Sequence, residues 1–382
     1  MSKKIKQKRR HIALFDPWFV FAVCGLLAIG LVMVTSASMA MADRQYHDAF
    51  HFAARQAIYL GLGLLFAAII LRIDTWFWQK TGGFWLLASL GALFLVLIPG
   101  IGHQINGSMR WIGIGPIGMQ VSELAKLGMI IYLAGYLVRR REEVQTQVSG
   151  FIKPMVLLGL VGGLLLLEPD FGATVVITAT ALGMLFLAGV QLRQFIFLLL
   201  LVGVALALLA VSAPYRMQRL TSFLNPWANQ FDSGYQLTQS LIAFGRGGWS
   251  GVGLGNGIQK LFYLPEPHTD FLFAVLAEEL GLIGVLVVIS LYIILVGRAL
   301  WIGYQAQKLE EYFAAYLAYG LGLWLGMQAM INMGVNAGVL PTKGLTLPLL
   351  SYGGSSMLIM CMVLALLLRI DHEVRILKHG RF

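Results

Sequence analysis

Ten long apolar stretches, parted by short polar or Gly- and Pro-rich segments, organise the chain: 18–38, 53–71, 83–100, 119–138, 150–167, 171–190, 194–213, 271–297, 313–332 and 351–368. Each approaches the roughly 17–25 mostly apolar residues that a helix needs to cross a bilayer. The fifth is the weakest, because Lys153 and Pro154 leave an uninterrupted apolar run only over 155–167. The pattern predicts an all-α, polytopic integral membrane protein of about ten transmembrane helices. It divides the chain into a basic tail (1–17), a membrane domain (18–368) and a C-terminal tail (369–382), with a large loop (214–270) between the seventh and eighth helices.

Composition supports the pattern. The chain is 58% apolar with a mean hydropathy of +0.77, against roughly 45–50% apolar content in a soluble domain. The net charge of +10 would suit nucleic acid, but its distribution argues otherwise. An even number of spans puts both termini on one face. That face then holds 19 Lys and Arg, the other holds eight, and Lys126 stays within the fourth span. This is the positive-inside bias. It predicts both termini in the cytoplasm and 214–270 outside, with the tail "SKKIKQKRR" as a topology signal. A full-length span without a small-residue cleavage site follows that tail, so the first helix is expected to be retained. Cys24 and Cys361 both fall in spans and build no disulfide framework.

Candidate chemistry therefore belongs on the outer face. The 214–270 loop is too apolar for a linker, since Trp227, Tyr235, Leu241, Ile242, Phe244 and Trp249 prefer burial. Within it, "YQLTQSLIAFG" has helical spacing that suits a helix on the membrane surface. The Gly-rich "GRGGWSGVGLGNG" lacks the Gly-Lys-Ser/Thr ending of a nucleotide loop and fits no dinucleotide register, so tight turns are expected. His47 and His51, beside Asp43 and Asp48, lack a third clear ligand and read as a solvated loop face.

The segment "LPEPHTDFLFAVLAEELG" (264–281) poses the sharper question. Asp270 stands where the apolar run begins, and Glu278 and Glu279 lie inside it. A carboxylate at a helix centre costs about 2.5–3.5 kcal/mol on insertion scales, so these acids must line a polar cavity or pair with cations. Lys343, in "LPTKGLTLPLLSYGGSS", is the obvious facing cation, and Arg246 and Lys260 lie just upstream. Glu123 and Lys126 are spaced i, i+3 in the fourth span and can pair. Arg110 anchors the interface or meets an anionic headgroup. Glu168 and Asp170 flank Pro169, where an Asp cap on the sixth helix is expected. The residues propose an outward-open cavity with carboxylate and ammonium groups, serving a transporter or an enzyme on a lipid-linked substrate.

The motifs "NGSMRWI", "SELAKL", "EPDFGA", "GVGLGNG", "LPEPHTDFLFAVLAEELG" and "NMGVNAGVLPTKGLTLPLLSYGGSS" resemble the SEDS family (shape, elongation, division and sporulation) along the whole chain. Lys343 favours the division branch over the elongation branch, whose equivalent stretch usually lacks that lysine. The resemblance implies ten helices, cytoplasmic termini and peptidoglycan glycosyltransferase activity on lipid II at the outer face of the inner membrane. It assigns the essential Asp of H-T-D-F to Asp270, the S-E-x-x-K pair to Glu123 and Lys126, and the loop lysine to Lys343. The sequence departs from the family at Val121, where Pro or a small residue is common, at Phe262, acidic in some relatives, and at Glu168, commonly Gln.

Lipid II polymerisation displaces undecaprenyl pyrophosphate with inversion, which needs a base and cations for the leaving group. Asp270 is the expected base. Lys343, Arg246 and Arg110 are candidates for the anion, with His268 and Ser351 as further substrate contacts. Glu123, Lys126, Glu278 and Glu279 are expected to shape the cavity. A divalent ion, Mg2+ or Mn2+, would assist the pyrophosphate. The implied partners are a class B penicillin-binding transpeptidase (FtsI-like) and the FtsQ, FtsL, FtsB and FtsN-like septal proteins. A lipid II flippase and a non-catalytic division scaffold are the alternatives, and polymerisation by purified protein discriminates all three.

Overall fold

The computed structural model describes residues 15–105, 108–114, 117–211, 217, 221–342 and 344–380. The basic residues of the N-terminal tail and Lys343 therefore lie outside the described residues. Long helices occupy each predicted apolar stretch: α1 (Pro17–Tyr46), α2 (His51–Ile70), α3 (Thr75–Val96), α4 (Val121–Arg139), α6 (Val148–Leu167), α7 (Phe171–Leu187), α8 (Leu192–Val211), α10 (Leu272–Lys308), α11 (Tyr312–Asn336) and α12 (Gly354–Gly380). Short helices α5 (Arg141–Thr146) and α9 (Tyr235–Gly247) lie between them. Seven of the described helices (α1, α2, α4, α6, α10, α11 and α12) are long and apolar enough to span a membrane.

Local chemistry sets the ends. α1 opens with Pro17 at its first position and Asp16 as cap, whose carboxylate accepts the Phe19 amide at 3.0 Å. α3 starts eight residues before its predicted apolar run. Lys80 lies in that added first part of the helix, and its ammonium stands 3.7 Å from the centre of the Trp76 ring, so the charge keeps a partner on the helix surface. α12 runs past the apolar stretch to Gly380, where Arg369–Glu373 and Arg375–Asp371 pair at i, i+4. Residues 369–380, read from sequence as a tail, thus continue a packed helix with Asp371 and Val374 buried.

The centre is α4 and α11. The apolar window of α4 is 83% buried and that of α2 only 17%, so α2 borders the bundle. α11 packs against α10, α7 and α4, while α12 packs on α2. Between the third and fourth apolar stretches the chain forms an antiparallel sheet of β1 (Gly102–Ile105), β2 (Ser108–Ile114) and β3 (Ile117–Gln120), in the order β1-β2-β3, which the all-α reading did not include. Trp111 pairs with Gln120 and Ile112 with Met119. The signal was present: Asn106-Gly107 is a strong hairpin dipeptide.

The predicted eighth span is not one continuous helix. Gly281 interrupts α10 with φ 65° and ψ −164°, a conformation that favours glycine. The broken ends are closed by the Gly-rich segment. Val252 and Gly253 donate to the carbonyls of Glu278 and Glu279, and Leu282 and Ile283 donate to the carbonyls of Gly248 and Trp249. Gly247 lies so close that a Cβ there would stand 1.9 Å from the Ala277 oxygen. "GRGGWSGVGLGNG" is therefore a backbone splint for a discontinuous helix, which re-satisfies groups that lipid could not.

Candidate active site

The splint is pinned by the two glutamates. Glu278 accepts the amides of Ile258 (3.0 Å) and Gln259 (3.1 Å) and pairs with Arg246 at 3.1 Å. Glu279 accepts the amide of Gly255 (3.0 Å), the hydroxyl of Ser36 on α1, and the ammonium of Lys260 at 2.6 Å. Both carboxylates are wholly buried, so they hold structure together by pairing with cations. Arg246 is engaged here, away from the free role its position in the loop suggested.

Asp270 sits differently. It precedes the first turn of α10, yet the cap position is Phe271, and no side chain of that segment caps the helix. The capping is tertiary. Asn336 of α11 accepts the Ala274 amide at 3.1 Å through Oδ1, and its amide nitrogen donates to the Asp270 carbonyl at 2.9 Å. Asn332, one turn away, donates to the same carbonyl at 2.9 Å and to the Leu345 carbonyl. Two buried asparagines thus fix the backbone of Asp270 and tie it to the loop bearing Gly344.

Among the described residues the Asp270 carboxylate accepts no hydrogen bond. It lies against Gly344, where an added Cβ would be 2.9 Å from Oδ2. Burial pushes its pKa up to about 7, the negative field of Glu266 and Asp170 adds to the rise, and Arg110 opposes it.

Arg110, on β2, reaches across to the turn between α6 and α7. Its Nε donates to the Glu168 carbonyl (3.3 Å), a terminal nitrogen donates to the Pro169 carbonyl (2.7 Å), and the guanidinium stands 3.9 Å from Asp170. Asp170 caps α7 through the Ala173 amide at 3.0 Å. The Glu168 carboxyl is buried with no hydrogen-bond partner among the described residues, and burial, then Asp170, pushes its pKa up to about 8. It therefore holds its proton at neutral pH. A neutral carboxylic acid has the shape of the Gln that the sequence pattern leads one to expect. Glu168→Gln should accordingly leave thermal stability and activity within about twofold; a loss of tenfold or more would show that the titratable proton matters.

Lys126 and Glu123 form a buried pair at 2.8 Å inside α4. Lys126 also donates to Gln328 of α11 at 2.8 Å and lies 4.9 Å from the Trp324 ring centre. Gln328 donates in turn to the Thr346 carbonyl at 3.0 Å. The pair thus bears, through Gln328, Asn332 and Asn336 at i, i+4 and i+8, on the loop and backbone around Asp270. Removing one partner of a buried pair typically costs about 3–5 kcal/mol. Lys126→Ala should lower folded yield and melting temperature, and normal values for both would make the pair incidental.

His268 is buried between Phe52 and Tyr352, with ring centres at 4.5 and 5.5 Å, and burial holds its imidazole below the ordinary histidine range. Its carbonyl accepts the Tyr352 amide at 2.9 Å. Ser351 is buried too, and its hydroxyl accepts the Leu347 amide at 2.9 Å. Both side chains brace the loops flanking Asp270. Among the described residues no three His, Cys, Asp or Glu side chains are grouped to hold a metal ion. Asn332, Asn336 and Gln328 were not singled out from sequence. Their spacing on one face of a membrane helix was the available signal.

Fold and site together define an integral membrane protein of helices, with a half-buried acid of raised pKa held between a discontinuous helix and a Gly-bearing loop. Residues 17–376 match the family of FtsW, RodA and SpoVE, described as cell cycle proteins, and the chain belongs to that family. It is 63% identical to the probable peptidoglycan glycosyltransferase FtsW of Legionella pneumophila, over 98% of this chain and 95% of that protein. The probable peptidoglycan glycosyltransferase FtsW of Coxiella burnetii is 58% identical over 94% of this chain and 96% of its own. Among solved structures, one from a peptidoglycan synthase complex that coordinates polymerization and crosslinking aligns with a TM-score of 0.77 at 30% identity, covering 94% and 98% of the two chains. The Thermus thermophilus rod shape determining protein RodA aligns at 0.68, with 30% identity over 94% and 97%.

Proposed function

We propose that this protein is a peptidoglycan glycosyltransferase that polymerises lipid II at the outer face of the cytoplasmic membrane, with Asp270 as its base. The observation that carries the reading is the Asp270 carboxylate: without a hydrogen bond among the described residues, beside the backbone of Gly344, and titrating near neutrality. A base works best when its pKa lies near the operating pH. Membership of the family and the names of the relatives support the same reaction class.

In this reaction the acceptor sugar's 4-hydroxyl attacks the donor's anomeric carbon. Asp270 takes the hydroxyl proton as the new C–O bond forms. The bond from the anomeric carbon to the pyrophosphate oxygen breaks, and undecaprenyl pyrophosphate departs with its electron pair, so the α-linked donor becomes a β-linked product. Arg110 spends donors on two carbonyls, yet its positive field reaches Asp270 and suits the departing anion. Lys343, outside the described residues, stays a candidate for the same anion on sequence grounds. The described side chains offer no group of three metal ligands, so a divalent ion assisting the reaction would be held chiefly by the pyrophosphate.

The charge bias supports cytoplasmic termini, and the likeness to a synthase complex supports a class B penicillin-binding transpeptidase as partner at the septum. Purified protein given lipid II should yield glycan strands on a gel. Transbilayer movement of lipid II without strands would favour a flippase, and neither activity would favour a scaffold.

The pH dependence follows from the site. A base must be deprotonated, so kcat/KM should rise with pH through about 7 and level off above, following Asp270. A profile still falling on the acid side only near pH 4, the ordinary carboxylate range, would remove the argument from burial.

A further inference from the structure

At the end of the bundle opposite Asp270, residues of α10 and α12 line a groove of about 190 Å³. Arg298, Trp301 and Gln305 line it from α10, and Asp371, Arg375 and Lys378 from α12. Each set is spaced one and two turns along its helix, so the two ridges face each other.

The groove carries excess positive charge. Asp16 accepts from Arg298 and from Arg375 at 3.3 Å, and Asp371 pairs with Arg375 at 2.8 Å. Two carboxylates thus balance the two guanidiniums and leave Lys378, which is exposed and makes no ion pair among the described residues. Among the described residues the Nε of Arg298 has no hydrogen-bond partner, an unspent donor in a fork that suits a phosphate. The chain reaches Asp16 directly from a segment with six Lys and Arg between positions 3 and 10. The Asp16 amide itself donates to Asp371 at 2.9 Å, which anchors the root of that segment at the groove.

Apolar groups rim the same level. Trp301 is 47% exposed and Ile376 53% exposed, with Tyr304 beside Trp301. Aromatic residues of this kind mark the headgroup level of a bilayer, and their apolar faces would lie along acyl chains. A free phosphate would have no use for them.

We propose that this groove binds the phosphodiester headgroup of an anionic phospholipid in the leaflet opposite Asp270. Arg298 and Lys378 hold the phosphate, and Trp301 takes the glycerol and first acyl carbons. The site is separate from the polymerase reading and does not depend on it. Basic pockets between membrane helices on the inner side suit such headgroups.

The test uses the full chain, purified in detergent and stripped of lipid, with phosphatidylglycerol, phosphatidylcholine and inorganic phosphate as probes. Retained lipid in native mass spectrometry and the thermal shift are the readouts. Phosphatidylglycerol should be retained in preference to phosphatidylcholine and should raise the melting temperature. Lys378→Gln should cut that preference about fivefold, which corresponds to ~1 kcal/mol per basic group near a lipid surface. Trp301→Ala should weaken retention of both lipids. Both side chains are exposed, so the fold should persist in each variant. Equal retention of the two lipids, or an unchanged preference in Lys378→Gln, overturns the site. If inorganic phosphate reproduces the thermal shift and displaces the lipid, the ligand is free phosphate and the lipid assignment fails.

Discussion

Asp270→Asn is expected to reduce glycan-strand formation from lipid II by roughly 10²–10⁴-fold, the range that a lost general base costs. The substitution preserves size and leaves the backbone grip of Asn332 and Asn336 intact, because both bind the Asp270 carbonyl. It should therefore fold. Stability should even gain at alkaline pH. A carboxyl whose folded pKa is raised to about 7 contributes stability below its ordinary value near 3.8, and that contribution is lost as pH rises through about 7. The neutral amide escapes that loss. A variant that is inactive yet melts no lower than the parent at pH 8 would meet both expectations. Asp270→Glu keeps the charge but moves it by more than ~1 Å, a misplacement that can cost about 10²-fold. Near-normal strand formation by Asp270→Asn would sink the assignment. Glu279 could not easily replace it as base, since it is fully buried and already accepts from Gly255, Ser36 and Lys260.

Lys260→Ala should produce the largest loss of folded protein. Its ammonium is the sole cation paired with Glu279 among the described residues, at 2.6 Å, and the carboxylate has no exposure to water. Stranding a buried charge typically costs about 3–5 kcal/mol. The same carboxylate holds Gly255, and hence the segment that closes the break at Gly281. Folded yield and melting temperature are the measurements. Neutralising both partners, in Lys260→Met with Glu279→Gln, should recover part of the loss, because no uncompensated charge then remains. Normal yield and melting temperature for Lys260→Ala alone would mean that hydrogen bonds from Gly255 and Ser36 suffice.

The membrane architecture was legible because it rests on one-dimensional facts. Runs of apolar residues must be helical in lipid, where every backbone group needs an internal partner, and each predicted run carries a helix. Asp270 was legible for a related reason: an acid at the head of an apolar run is too costly to be idle. The resemblance then gave it a reaction. Helix ends were less legible where partners outside the apolar pattern set them, as Lys80 over Trp76 does for α3 and the ion pairs of Arg369 and Arg375 do for α12.

Tertiary structure alone decided how the acids divide. Glu278, Glu279 and Asp270 lie within ten residues in the chain, but their roles depend on what distant segments bring to them. Ser36 of α1 and Lys260 of the loop saturate Glu279, and Arg246 saturates Glu278. Gly344, Asn332 and Asn336 surround Asp270, and among the described residues its carboxylate accepts no hydrogen bond. A carboxylate's chemistry is set by its solvation and partners, and both are three-dimensional quantities. For that reason the sequence by itself determined which residues could not be idle in a membrane, and only the packed chain decided which of them are held by cations and which carboxyl is left without such a partner among the described residues.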